Sequence, residues 1–257
     1  MKRRDFLKTA GLCAAGVTLL PPGFAVAEAL AAQKEGALTR SATERSAKRW
    51  AMVIFSQKMA SPALQQKVAE ACHSYHNVPA LSGPKEVKWL WSDDYAATFP
   101  EQASNFPAKA VRERRYLLLC NHCENPPCVR VCPTQATFQR EDGIVAMDYH
   151  RCIGCRFCMA GCPYGARSFN FSDPQKHVAR PNLEFPMRMR GVVEKCTFCS
   201  ELLSKGKMPL CVEASGGGIL FGDLLDEKST VRKALEENAA IRRKPSLGTQ
   251  PGVYYIL

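Results

Sequence analysis

Apolar residues in this chain come in short runs separated by polar, glycine-rich or proline-rich stretches. The run Trp50-Ala-Met-Val-Ile-Phe55 predicts a strand, and ordered chain is expected to begin there. Residues 62–72 have helical composition with Pro62 in the first turn, which predicts a helix. An apolar and aromatic piece follows at 87–91, and its tryptophans, Trp89 and Trp91, read as packing residues. Residues 116–119 predict a strand. Residues 137–139 and 144–147 flank Asp142-Gly143, which predicts a hairpin closed by an Asp-Gly turn. Residues 174–189 are proline-rich and read as a linker, residues 219–225 are apolar, and residues 229–242 predict a helix.

Beyond the N-terminal segment no apolar run approaches the roughly 18 residues a membrane span requires. That segment opens Lys2-Arg3-Arg4-Asp5-Phe6, continues through a mildly apolar stretch to Leu20 and reaches Ala25-Val26-Ala27. Twin arginines, a weak apolar centre and small residues at the end predict a twin-arginine export signal, residues 1–27. A retained membrane anchor is the alternative, and Pro21-Pro22 together with the alanines and glycines weigh against it. Residues 28–48 read as a flexible arm. The expected location is therefore periplasmic, at the outer face of the cytoplasmic membrane.

Formal charge is +11, and removing residues 1–27 (four Lys and Arg against Asp5) leaves +8. Such a balance would suggest nucleic acid if nothing offset it. The cysteines change that picture.

Thirteen cysteines are present, and eight fall in two consecutive runs. Cys120, Cys123, Cys128 and Cys132 have the pattern C-x2-C-x4-C-x3-C-P; Cys152, Cys155, Cys158 and Cys162 have C-x2-C-x2-C-x3-C-P. The second is the spacing that holds [4Fe–4S] clusters in bacterial ferredoxins, where the fourth Cys of a run serves the neighbouring cluster. Crossed pairing gives Cys120, Cys123, Cys128 and Cys162 for one cluster, and Cys152, Cys155, Cys158 and Cys132 for the next. The repeat runs on as Cys132-Pro-x-x-Ala136 and Cys162-Pro-x-x-Ala166. Each oxidised cubane with its four thiolates carries about −2, so three would bring the mature chain near neutrality, and no nucleic-acid partner is expected. Zinc sites need four ligands per ion, and disulfides suit exported chains; both remain as alternatives to iron–sulfur. No C-x-x-C-H is present for covalent haem. His73 and His76 are candidate ligands or supporting residues, and His122 is read as supporting the ligands on either side of it. Backbone N–H groups around Gly154, Gly161 and Gly165 either donate to sulfur or serve only the turns.

A third region, Cys196-Thr-Phe-Cys199 and then Cys211-Val-Glu-Ala-Ser215, completes a likeness that spans nearly the whole mature chain. It includes Val193-Glu-Lys-Cys196, Phe221-Gly-Asp223 and the 249–255 tail. The chain resembles the ferredoxin-like electron-transfer subunits of DMSO-reductase-type and polysulfide-reductase-type complexes. Within them it is similar to the exported subunits of DsrMKJOP-type complexes. The resemblance implies an α+β protein of two interlocked ferredoxin-like, two-cluster modules, residues 49–113 plus 185–257 and residues 114–184. It implies electron relay without catalysis of its own. The partners it implies are a quinone-interacting membrane protein of the polysulfide-reductase anchor type and a multihaem cytochrome c. A molybdopterin oxidoreductase is the alternative complex, and a structural zinc module the alternative class.

The family usually carries four runs and four clusters. Here Ser56–Ser61 stands where the first three cysteines belong, and Ser215 where the last belongs. Crossed pairing then removes one whole cluster and leaves Cys72 to complete a third set with Cys196, Cys199 and Cys211. The alternative leaves Cys72 a buried free thiol. Three [4Fe–4S] clusters are expected. The resemblance further implies the order Cys120 cluster beside the membrane partner, then the Cys152 cluster, then the Cys196 cluster.

Overall fold

The computed structural model describes residues 47–102 and 106–257. The expected export signal and all but residues 47 and 48 of the arm lie outside them. Among the described residues no helix is long and apolar enough to cross a membrane.

The predicted first strand is present as β1 (Trp50–Phe55). It is apolar throughout because both of its faces are covered. Ala51 and Val53 face one small apolar group, whereas Trp50, Met52 and Ile54 join the main core with the cysteines. After a turn, Ser61 caps helix α1 (Pro62–Tyr75), its hydroxyl accepting from the Leu64 N–H at 3.5 Å, with Pro62 in the first turn. Gln65, Val68 and Cys72, spaced three and four apart, form its buried face.

Strands β2 (Leu90–Asp93) and β3 (Tyr116–Leu119) pair antiparallel, with the short helices α2 (Tyr95–Thr98) and α3 (Lys109–Arg112) between them. Then come α4 (Pro127–Arg130), the hairpin β4 (Thr137–Gln139) with β5 (Val145–Met147), and α5 (Phe157–Ala160). The Asp-Gly turn of that hairpin is tied to β1, because the Trp50 N–H donates to the Asp142 carbonyl at 3.0 Å. Gly143 is needed there. Its φ is +83°, and a Cβ would lie 2.2 Å from the Arg49 guanidinium.

Strands β6 (Ser168–Phe169) and β7 (Val193–Glu194) form a second short ladder. The chain ends with α6 (Ser200–Leu203), α7 (Leu210–Ala214), β8 (Ile219–Asp223), α8 (Thr230–Glu237), β9 (Ala240–Ile241) and β10 (Val253–Ile256). The main sheet has the order β8-β1-β10-β9; β1 runs parallel to β10 and antiparallel to β8. Helix α8 covers the Ala51 and Val53 face through Val231 and Ala234, which leaves the other face of β1 to the cysteines. The architecture is mixed α and β.

Two expectations are corrected. The helix predicted over 229–242 stops at Glu237, because Asn238 is extended and its side chain caps the Ala234 carbonyl at 2.9 Å. The next residues pair with β10 instead. Residues 174–189 are no linker. They form a strap with Pro174, Phe185 and Arg188 buried, and Asn77 donates to the carbonyls of Asn182 and Phe185 at 2.9 and 2.8 Å. Side-chain bonds of this kind let irregular backbone lie against a core.

Candidate metal centre

Three loops of C-x-x-C form open this site, and they share one backbone feature. The residue before the second Cys has positive φ in each: His122 at 41°, Gly154 at 69° and Phe198 at 55°. Two of the three carry side chains that rarely adopt that conformation, so the surrounding packing must hold them. His122 and Phe198, equivalent positions in two loops, stack on each other with ring centroids 3.7 Å apart. The His122 Nδ1 accepts the Val145 N–H at 3.1 Å. Burial, reinforced by Lys195, Arg49 and Arg167, holds its pKa well below the usual range. Gln135 and Gly165, the equivalent positions after Cys132 and Cys162, also have positive φ, 53° and 64°.

Of the backbone N–H groups expected around Gly154, Gly161 and Gly165, those of Tyr164 and Ala166 beside Gly165 act on the Cys162 thiol against burial, and at Cys132 those of Thr137, Thr134 and Ala136 do the same. Burial is the largest single influence on Cys132 and would raise its pKa, yet those donors together lower it.

The described cysteines are all free thiols. Burial first, then Cys120, with Cys128 and Cys162 adding to it, pushes the Cys123 thiol up to about 12. Burial, then Cys199, Cys196 and Cys211, pushes the Cys72 thiol well above its usual value. So Cys72, carried on the inner face of α1, stands among the cysteines of the third region; α7, which carries Cys211, packs on α1. In the same way α4, carrying Cys128, packs on α5, carrying Cys158. Burial raises Cys158 as well, with Cys128 and Cys152 adding to it and Arg167 opposing.

These neighbours also fix an order. The Cys196 thiol is raised by burial and then by Cys120, and Cys158 has Cys128 beside it. The His122 ring on Phe198 and the packing of α4 on α5 agree: the Cys120 run touches the Cys196 region on one side and the Cys152 run on the other. The order expected from the resemblance, with the Cys120 set at one end, does not fit this geometry.

The donors suit iron–sulfur clusters better than zinc. A tetrahedral zinc with Zn–S near 2.3 Å sets sulfurs about 3.8 Å apart. Among the described residues the three His, Cys, Asp or Glu donors within 4.8 Å of one another are His76, Cys199 and Glu201, so no three cysteine sulfurs are gathered that tightly. Cys120, Cys123, Cys128 and Cys162 instead line a shared cavity with Pro126, Pro127 and Tyr164. Two fully or nearly buried cations face the sulfurs. Arg167 is 4% exposed and donates to Cys128 Sγ at 3.1 Å; Lys195 is 0% exposed and donates to the carbonyls of Val145 and Cys196. Buried charge of one sign calls for the other nearby, and anionic clusters supply it.

His76 is fully buried and committed to protein partners. Its Nδ1 lies 2.7 Å from the Cys72 carbonyl and 3.6 Å from Cys72 Sγ, and its Nε2 lies 2.8 Å from Glu201. His73 Nε2 accepts the Leu90 N–H at 3.3 Å. Where the family would have its missing ligands, Met59 is buried against Gly218, and the Ser215 hydroxyl donates to the Val212 carbonyl and accepts from the Ile219 N–H. Sequence reading missed Arg167 and the Arg188–Glu194 pair. Glu194 stands in the Val193–Cys196 motif and Arg167 just after the Cys162-Pro-x-x-Ala166 repeat, but only the fold shows that they are buried and what they bond.

Exposure differs between the sets. Cys155 is exposed and Cys152 and Cys132 are half-buried, with Ile153, Phe157 and Val131 exposed nearby in sequence. Cys72, Cys196, Cys199 and Cys211 are all buried.

Residues 116–185 match the family described as a 4Fe-4S dicluster domain. Over its whole length the chain is similar to the Hdr-like menaquinol oxidoreductase iron-sulfur subunit 1 of Archaeoglobus fulgidus, 38% identical over 99% of this chain and 97% of the relative. The iron-sulfur cluster-binding subunit of menaquinone reductase from Nitratidesulfovibrio vulgaris is 33% identical over 81% of this chain and 88% of its own. The iron-sulfur subunit of the arsenate respiratory reductase of Shewanella sp. is 36% identical over 54% and 73%. The chain thus belongs to the family of ferredoxin-like iron–sulfur subunits that transfer electrons within oxidoreductase complexes and are not their catalytic subunits.

Proposed function

We propose that the chain is a periplasmic electron relay with three [4Fe–4S] clusters. Cys120, Cys123, Cys128 and Cys162 hold the first, Cys152, Cys155, Cys158 and Cys132 the second, and Cys196, Cys199, Cys211 and Cys72 the third. The observation that carries this reading is the grouping of the cysteines, above all Cys72 on α1 packed against α7 with Cys211 and buried in one core with Cys196. Each cluster, when bound, takes up and gives back one electron. The chain's own groups hold the ligands, exclude water from the third set and place cations and N–H donors at the sulfurs. Two interlocked modules, 49–113 plus 185–257 and 114–184, follow from the same pairing, the first having lost a cluster.

The relay then runs from the Cys152 set through the Cys120 set to the Cys196 set. The exposed Cys155 with Ile153, Phe157 and Val131 suits the apolar face of a quinone-interacting membrane subunit. The menaquinone reductase relative favours a partner of that kind. The opposite end suits an extra-membrane redox partner, a multihaem cytochrome c in a sulfur-metabolism-linked complex. A second reading makes that partner a molybdopterin subunit, the alternative complex that the resemblance implies. Purification of the native complex decides between them through co-purifying haem or molybdenum. The isolated chain is expected to carry about twelve iron atoms, a brown colour and reducible EPR signals; a colourless zinc protein would sink the reading.

Export is tested separately. Arg3-Arg4→Lys-Lys is expected to leave cluster-loaded precursor in the cytoplasm on cell fractionation. Normal periplasmic accumulation of that variant would refute the signal.

A further inference from the structure

Arg167 follows Ala166 as Thr137 follows Ala136, so the two residues occupy equivalent places in the two Cys-Pro-x-x-Ala repeats. The structure brings them together at the seam between the runs. Arg167 Nη2 donates to Thr137 Oγ1 at 2.7 Å and to Cys128 Sγ at 3.1 Å, and Nη1 lies 3.7 Å from Met147 Sδ. The same guanidinium acts on Cys158, from the other run, whose helix α5 packs on the α4 that carries Cys128. No carboxylate pairs with it among the described residues, and the sulfurs of Cys128, Cys158 and Cys120 are the largest opposing influences on it. Burial alone would make it easier to deprotonate, and those sulfurs outweigh burial.

Resting on the cluster reading above, we propose that Arg167 is a positioning residue for electron transfer: a single positive charge at the seam between two cluster sites, which raises the reduction potential of both and of the Cys120 site more. A site gains negative charge when it is reduced, so a fixed cation and an N–H at its sulfur favour the reduced form. The guanidinium donates directly to Cys128 Sγ of the Cys120 set, whereas Cys158 of the Cys152 set acts on it more weakly. The repeat would otherwise give the two sites similar surroundings. With arginine on one side and threonine on the other, the seam holds one charge without like-charge repulsion, and the two sites become unequal. One electron leaves one site and enters the next; Arg167 gains and loses neither bond nor proton.

The test is an EPR-monitored redox titration of the iron-replete chain carrying Arg167→Gln, Arg167→Met or Arg167→Lys. In the Gln and Met variants two of the three reduction steps are expected at lower potential, one shifted more than the other, with the third unmoved. Lysine restores part of the shift. Three steps coinciding with wild type in Gln and Lys variants of full iron content would overturn the proposal. Should the neutral variants fail to load iron, wild-type protein labelled with 15N-arginine carries the test. Hyperfine coupling from an arginine nitrogen to a reduced cluster is expected, and its absence overturns the contact. Wild-type protein without iron or EPR signal would instead refute the cluster reading itself.

Discussion

Cys72→Ser is expected to lose or convert one cluster, lowering iron from about twelve to between about eight and eleven atoms per chain. The sulfur stands among Cys199, Cys196 and Cys211 in a fully buried position, where water cannot replace a missing ligand. A serine oxygen there is a harder and poorer ligand than a thiolate. The companion variant Ser215→Cys is expected to add no iron. Its hydroxyl already serves the end of α7, and the loop that lacks the first three cysteines buries Met59 against Gly218. Iron analysis with EPR reads both. A Cys72→Ser chain that retains three intact four-iron clusters would defeat the assignment of Cys72.

Arg188→Met is expected to destabilise the fold by about 3–5 kcal/mol, the usual cost of leaving half of a buried ion pair alone. Arg188 and Glu194 are both fully buried, with Nε 2.7 Å from Oε2. Glu194 also accepts from Trp89 Nε1 at 3.0 Å and from Asn170, and Arg188 donates to the carbonyls of His76 and Asn77. The network therefore fastens the 174–189 strap to α1 and to the strand that leads into Cys196. Removing the guanidinium strands a carboxylate and several carbonyl oxygens. The double variant Arg188→Met with Glu194→Gln is expected to cost less than Arg188→Met alone, because no unpaired charge remains. Denaturant titration followed by visible cluster absorbance measures the difference, and an unchanged midpoint for Arg188→Met would contradict the account.

The sequence was legible where chemistry is local. Ser61 and Pro62 mark the start of α1, Asp142-Gly143 closes its hairpin, and cysteine spacing alone marks the three loops. What was not legible depends on distant partners. Residues 238–242 have helical composition but stand beside an unpaired edge of β10, whose hydrogen bonds draw them into a strand. The prolines of 174–189 hide a packed strap because its bonds come from His76 and Asn77, far away in the chain. The order of the three sets is likewise a matter of which loops meet. His122 on Phe198 brings the Cys120 loop against the Cys196 loop, α4 with Cys128 packs on α5 with Cys158, and no spacing records that.

Lys195 and Arg167 have a consequence for how the molecule is assembled. Both are sealed from solvent with no carboxylate among the described residues to neutralise them, and Arg49, immediately before β1, donates to the His122 carbonyl close by. A chain without its anionic cofactors would have to close around stranded positive charge while its thiols crowd together in a low dielectric. Each penalty disfavours closure, and cofactor loading removes both at once. Cofactor loading and closure of the fold are thereby coupled: whatever anion fills the sites also relieves the charge that closure would bury.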